Sequence, residues 1–253
     1  MMKLKWTISF VLLAGFVGCR ATSNLPMHPR MSLNETKQYL AAQAQRVKTI
    51  SAEGTITLTR GGGESVRFDG AMVMELPTKA RVRAWKFGQA IFDLTLNDEG
   101  MWLVAPKDSS HAEDIRKAGA NAGELARTLS RLMGRYFQSA DLNVQERGDV
   151  MLFSQRQRNG ELLTCDVDRQ TLTPTRYTMI DAEGRRRFVL RLERYEMVSD
   201  VPWPRRIVAD SEAGAVQVDL RNVELNAELA AGAFKPPRRA ERLSTTTQST
   251  GRP

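Results

Sequence analysis

Hydrophobic and polar positions follow two different periods along this chain, and the switches between them mark its elements. Leu33, Leu40, Ala44 and Val47 recur at helical spacing up to about Lys48. Ser32 and Glu35 precede that stripe at the spacing of a capping box. This predicts an amphipathic helix with one narrow apolar face. Period two follows. Over Gly54–Arg60, Ile56 and Leu58 share a face and three threonines occupy the other. Val66, Phe68, Gly70, Met72 and Met74 share a face of the next stretch, opposite Arg67, Asp69 and Glu75. Further strands are expected at Lys79–Phe87, at Gln89–Asn97 with Phe92, Leu94 and Leu96 in phase, and at Met101–Ala105. About five antiparallel strands joined by short turns are therefore expected, a β-meander.

Helical period then returns. Leu125, Leu129, Leu132, Met133 and Tyr136 stand at i, i+4, i+7, i+8 and i+11, which predicts a helix over about Ala122–Phe137. The polar stretch Lys107–Ala120 upstream reads as a short helix or a mobile loop. Beyond Asp141, strands are expected at Val150–Arg156, Leu162–Asp168, Thr175–Ile180, Arg187–Tyr195, Arg205–Asp210 and Ala215–Glu224. Asn159-Gly160 and Glu183-Gly184 are hairpin-turn signals. From about Arg238 the chain is basic and Ser/Thr-rich with no apolar period, which predicts disorder, taken as a tail over 241–253. The fold class is α+β and mostly β: a single curved antiparallel sheet of about 11 strands, an unclosed half-barrel, because a long twisted sheet must curl. The two striped helices need a surface to cover, and the concave face of the sheet supplies it.

The first residues carry a different pattern. Lys3 and Lys5 precede an apolar or small run from Trp6 to Val17, the length of a signal h-region and short of the roughly 20 residues a membrane span needs. The run ends Ala14-Gly15-Phe16-Val17-Gly18-Cys19. Small residues before a cysteine at that place resemble the bacterial lipobox, with Phe16 where Leu is usual. The resemblance implies cleavage after Gly18, a diacylglycerol on the Cys19 thiol and an acylated (palmitate-type) amino terminus. The alternative is an ordinary secretory signal cut nearby, for instance after Ala21. The expected organisation is a signal peptide over 1–18, a lipidated tether over 19–31 and one domain over 32–240. Arg20, not Asp, follows the cysteine, which favours the outer membrane over the inner one.

Composition narrows the chemistry. The 253 residues are 42% hydrophobic and 26% charged, with a formal charge of +8, ordinary values for a globular protein. The only other cysteine is Cys165, expected as a small buried strand residue, so no disulfide framework is expected. His28 and His111 are the only histidines, both in polar stretches and both read as solvated. No metal site and no cofactor are expected. Neither a Gly-rich phosphate loop, a Gly-x-Ser-x-Gly elbow nor a histidine triad occurs, so the chain is read as no enzyme. Asp166 and Asp168 share a strand face and read as a solvated edge rather than a catalytic pair. Arg185-Arg186-Arg187 reads as a charged hairpin end, with anionic lipid heads as its functional alternative. An envelope location argues against nucleic acid despite the positive charge.

With these elements in place, the chain resembles the lipoprotein-localisation-factor superfamily, the LolA/LolB-like proteins. The segments that carry the likeness are Ser51-Ala52-Glu53-Gly54-Thr55-Ile56 after the first helix, Glu75 to Arg83 with its "P-x-x-h-R" pattern, Asp98 to Leu103, and the closing Ala231-Gly232-Ala233-Phe234-Lys235-Pro236-Pro237. The resemblance covers about residues 32–240 through short, mostly structural motifs. It implies an unclosed half-barrel with helices over its mouth, a cavity for acyl chains, and in some members an inward Arg that latches the lid. Arg67 and Arg83 are the candidates for that Arg. It also implies, for the outer-membrane receptor of the family, a protruding loop with an exposed Leu, which no segment of this sequence announces.

The expected function is a membrane-anchored envelope lipoprotein that holds lipid, or the acyl chains of lipoproteins, without catalysis. The alternative is an interaction lipoprotein that docks in an envelope complex, with a filled core and no ligand. Cys19 is the expected lipid attachment. Trp85, Phe92, Leu94, Trp102, Leu132, Met133 and Tyr136 are the expected cavity lining, and the rival reading is that such side chains simply fill a core. Expected partners are the membrane, acyl chains and an envelope protein.

Overall fold

Alternating apolar positions separated by short polar turns produce one continuous antiparallel sheet. The computed structural model describes residues 25–60, 62–106, 112–211 and 214–243. Cys19, the signal segment, His111 and residues 244–253 lie outside the described residues. The first helix, α1, spans Leu33–Arg46. Five strands follow: β1 Thr49–Arg60, β2 Ser65–Glu75, β3 Lys79–Lys86, β4 Gln89–Asn97 and β5 Gly100–Val104. Helix α2 is Ala112–Arg135, continued by a single tight turn over Tyr136–Gln138. The second series is β6 Asn143–Arg147, β7 Val150–Arg156, β8 Leu162–Asp168, β9 Pro174–Ile180, β10 Arg186–Val198, β11 Val201–Ser211, β12 Gly214–Leu225 and β13 Glu241–Leu243.

The order across the sheet is β13-β5-β4-β3-β2-β1-β12-β11-β10-β9-β8-β7-β6. Pairing of β1 with β12 joins the two meanders through the middle, from Ile50 opposite Leu225 to Arg60 opposite Gly214. The outermost strands, β13 and β6, do not pair with each other, so the half-barrel stays open. Thirteen strands replace the expected eleven or so. One extra is β6, an exposed edge with a single half-buried apolar position at Val144. The other is β13, three residues of the expected disordered tail, which pair with β5 from Glu241 opposite Leu103 to Leu243 opposite Met101.

One face of the sheet forms the core. Ile50, Ala52 and Ile56 on β1 join Met72 and Met74 on β2, Val82 and Ala84 on β3, Phe92, Leu94 and Leu96 on β4, and Met101 and Leu103 on β5. From the other half come Phe153, Cys165, Val167, Tyr177, Leu190 and Ile207. Burying each large apolar side chain contributes about 1.5–3 kcal/mol relative to exposure.

The opposite face carries charge. Arg81 forks onto Asp93 with bonds of 2.8 and 2.6 Å, and Arg206 meets Asp219 at 2.6 Å. The segment 226–240 crosses this face. Thr49 donates to the Ala227 carbonyl, Arg81 to that of Ala233 and Asn97 to that of Phe234. The closing Phe234–Pro237 motif is thus part of a strap that carries the chain from β12 to the free edge of β5.

Register also fixes two rims. Turns β1–β2, β3–β4, β7–β8, β9–β10 and β11–β12 lie at one rim, and β2–β3, β4–β5, β6–β7, β8–β9 and β10–β11 at the other. The N-terminal arm, 25–31, belongs to the second rim. The His28 amide donates to the Gln170 carbonyl in the β8–β9 turn at 2.7 Å, its ring meets the Tyr39 hydroxyl at 3.1 Å, and Arg30 pairs with Glu146. The last part of the expected free tether is therefore held against the domain, and His28 is bonded rather than solvated. Behind it, Ser32 accepts from the Glu35 amide while the Glu35 carboxylate accepts from the Ser32 amide, the expected capping box.

Candidate functional site

The apolar face of the sheet is roofed by α2, and the two ends of that helix meet it differently. Near its start the contact is made by glycine. A Cβ on Gly119 would stand 2.7 Å from the Leu103 side chain, and one on Gly123 would collide with Met101 and Leu94. The helix backbone therefore rests directly on β4 and β5. From Leu125 onward, the contact is made by Leu125, Ala126, Leu129 and Leu132, all buried. Among the described residues the hydroxyl of buried Ser130 has no hydrogen-bond partner.

Two apolar cavities adjoin this second half. The first, about 30 Å³, lies under Leu125, Ala126 and Leu129, against Gly54 and Ile56 of β1, Gly70 and Met72 of β2, and Val216 and Leu220 of β12. The second, about 90 Å³, is a cleft among α1, the end of α2 and strands β9 to β11, lined by Tyr39, Ala44, Leu132, Met133, Tyr195 and Trp203 among others. Leu192 and Ile207 are directly paired across β10 and β11. Ile207 lines the first cavity and Leu192 the second, so the two spaces adjoin neighbouring positions of the sheet. A water needs about 10–15 Å³, so both exceed a packing defect. Neither holds a folded acyl chain as it stands, since pockets for drug-sized ligands run to about 300–1,000 Å³.

Beyond α2 aromatic rings pack edge to face, with Phe137 and Tyr177 also on the wall of the cleft. Tyr136 stacks edge-on against Phe137 at 5.1 Å and Tyr177 at 5.4 Å, and Phe137 against Phe153 at 5.3 Å. The Tyr136 hydroxyl donates to the Phe153 carbonyl at 3.1 Å and is within reach of that of Leu163. Burial pushes the Tyr136 and Tyr177 hydroxyls and the Cys165 thiol upward in pKa. Cys165 is therefore a neutral core thiol rather than a nucleophile.

The expected lining residues separate into three groups. Leu132 and Met133 line the cleft. Phe92, Leu94 and Tyr136 are buried in the core and reach neither cavity. Trp85 and Trp102 correct the expectation, because they stand on the charged face. Trp85 alternates with buried Ala84 and shares the parity of Arg81 and Arg83. Trp102 lies between buried Met101 and Leu103 and stacks under the Arg242 guanidinium at 5.7 Å. The residues missed were the small ones, Gly54, Gly70 and Ala126. Their signal was glycine at inward positions of two adjacent strands, a sign of close approach or open space.

Other candidates resolve plainly. Arg67 and Arg83 are exposed and of outward parity, and Arg67 reaches Thr55 there, so neither is an inward latch. Asp166 faces Arg176 at 3.8 Å, while Asp168 accepts from the Gln170 and Thr171 amides and closes the β8–β9 turn. Arg185 is engaged by Asp181 and Glu183. Among the described residues no group of His, Cys, Asp and Glu could hold a metal ion, and no helix is long and apolar enough to cross a membrane. One exposed feature stands out. Phe87 sits at the tip of the β3–β4 turn with φ at 51° and 92% of its surface exposed. That tip is at the rim opposite the arm.

An open, thirteen-stranded half-barrel with a helical roof is the LolA-like fold. The chain superposes on a LolA superfamily protein from Nitrosomonas europaea with a TM-score of 0.52 and 12% identity, over 78% of this chain and 96% of that one. An outer membrane lipoprotein-sorting protein domain from Vibrio parahaemolyticus gives 0.52 and 13%, over 79% and 95%. A DUF1329 family protein from Desulfovibrio piger gives 0.52 and 13%, over 79% and 96%. No family model matches the chain, and no curated protein matches it in sequence.

Proposed function

We propose that this chain is a bacterial envelope lipoprotein, anchored through lipid on Cys19, that binds acyl chains of lipids or lipoproteins beneath α2 without covalent chemistry. The domain proper is then 32–240 with the β13 edge, behind a signal peptide over 1–18 and a tether over 19–31 whose last residues, from 25 on, lie against the domain. The supporting observation is the side-chain roof: Leu125 and Leu129 line one apolar cavity against the sheet and Leu132 lines another. If the second half of α2 rises, those spaces merge into one apolar channel, with Leu132 and Met133 on its wall. An acyl chain there would leave water at a gain of roughly 25 cal/mol per Å² of apolar surface. Phe87 would serve as the protruding apolar tip for an incoming partner, and the anchor would face the periplasm from the outer membrane.

The experiment is displacement. A fluorescent fatty acid titrated into unlipidated protein starting at Arg20 should brighten and saturate, and palmitate should displace it. Absence of binding defeats the reading. The small cavity volumes favour a second reading, a filled docking module for an envelope protein. That reading predicts no fluorescent-lipid binding and a stable protein partner on purification through Phe87.

A further inference from the structure

We infer that the cleft at the arm rim is a membrane-side port, which takes a single acyl chain from the bilayer that holds the anchor. This rests on the reading that Cys19 is lipidated. The first support is position. Val47, Leu76, Leu172 and Val201 in its wall all flank turns of the arm rim, so the cleft opens at that end. The second is the arm. His28 is bonded to Gln170, two residues before Leu172, and its ring packs edge-on against Tyr39, a wall residue, at 4.7 Å. The chain leaving residue 25 toward the amino terminus thus starts beside the opening.

The third support is reach. Residues 20–24 separate the attachment cysteine from Leu25, and the six steps from one to the other extend at most about 22 Å. A bilayer holding Cys19 lies within that distance of the arm. Met27, 71% exposed, stands on the same stretch and offers an apolar contact to lipid. Phe87 is at the other rim, separated by the eight residues of β3, roughly 26 Å. The interior therefore has two ends with different neighbours: one beside the anchor, the other facing away from it. Leu192 in the cleft and Ile207 in the smaller cavity are paired across β10 and β11.

The test uses full-length, lipidated protein reconstituted in phosphatidylethanolamine–phosphatidylglycerol vesicles. A small fraction of the phosphatidylethanolamine carries a photoactivatable group at the end of one acyl chain. After illumination, labelled peptides should come from 39–47, 172–177 and 195–204. Ala44→Trp, which fills the cleft, should cut that labelling at least tenfold, and Arg158→Trp, exposed in the β7–β8 turn at the opposite rim, should leave it unchanged. Gln43→Trp, at a half-exposed wall position, provides the same block if Ala44→Trp lowers the melting temperature. Anchoring is scored separately, by the acyl mass on Cys19 and flotation with the vesicles. Acylated, floating protein that is unlabelled, labelled only at 52–72 or 216–220, or labelled evenly overturns the port and leaves the anchor standing. An unacylated Cys19 defeats the anchor, and port labelling that persists on such protein overturns the role given to the tether.

Discussion

The two halves of α2 solve the same packing problem in opposite ways. The first half brings its backbone onto β4 and β5 through Gly119 and Gly123, leaving no room for even one Cβ. The second half holds itself off the sheet on Leu125, Leu129 and Leu132, with cavities on either side. The seat is tight, because the ends of the Leu103, Met101 and Leu94 side chains would have to move before even one Cβ could be added. A roof carried on side chains can change rotamers and lift at modest cost. The leucine roof is therefore the part of α2 that borders open space.

The largest test of this contrast is Leu129→Ala. Loss of a buried leucine should lower stability by about 3 kcal/mol in denaturant unfolding, yet fatty-acid binding should persist, because the removed atoms enlarge the space beneath the roof. Gly123→Val attacks the seat instead. Overpacking against Met101 and Leu94 should destabilise by about 2 kcal/mol and weaken binding, since a displaced seat shifts the whole roof. Equal effects of the two variants on binding would erase the distinction. Tyr136→Phe removes the hydroxyl that ties the end of the roof to the Phe153 carbonyl; about 1 kcal/mol is expected, visible as a lower melting temperature.

The capping box of α1, which packs beside the cleft, should yield a similar or smaller effect. Ser32→Ala is expected to cost about 1 kcal/mol. It also carries a pH signature. The bonds from Ser32 hold the Glu35 carboxyl below its ordinary 4.5. That contribution is complete above the unfolded value and disappears as pH falls through the lower folded one. Acid titration of stability should show the step in the parent and not in Glu35→Gln, whereas Ser32→Ala keeps the backbone amide that bonds the carboxylate and should retain it in part. Smallest of all is Arg116→Ala at the seat. Its 3.7 Å pair with Glu241 is half-exposed, so a change within about 0.5 kcal/mol is expected.

Much of this was legible in the sequence where period and burial coincide. Alternation in Val66–Met74 and Phe92–Leu96 marked the inner face, and Ser32 with Glu35 marked the start of α1. The first half of α2 was legible only as one of two alternatives, a short helix or a loop over Lys107–Ala120, because glycine contacts leave no apolar stripe. Short edges were equally silent, as in β6 with its lone Val144 and β13 with Leu243. Trp85 and Trp102 show the converse. Residue type suggested a cavity, whereas parity with Arg83 on one strand and placement between Met101 and Leu103 on another put them outside. Cavity volume has no sequence signature at all, since it depends on how far Leu129 and Leu132 hold the helix from Ile56 and Ile207.

The central claim is that the space beneath the leucine roof takes acyl chains. Native mass spectrometry of unlipidated protein, purified from a bacterial envelope without detergent exchange, measures this directly. A population heavier by the mass of one fatty acid or phospholipid is expected, reduced at least several-fold in Ala126→Trp, which fills the space beside Leu129. Protein that is uniformly free of lipid, and stays so after incubation with palmitate, would contradict it.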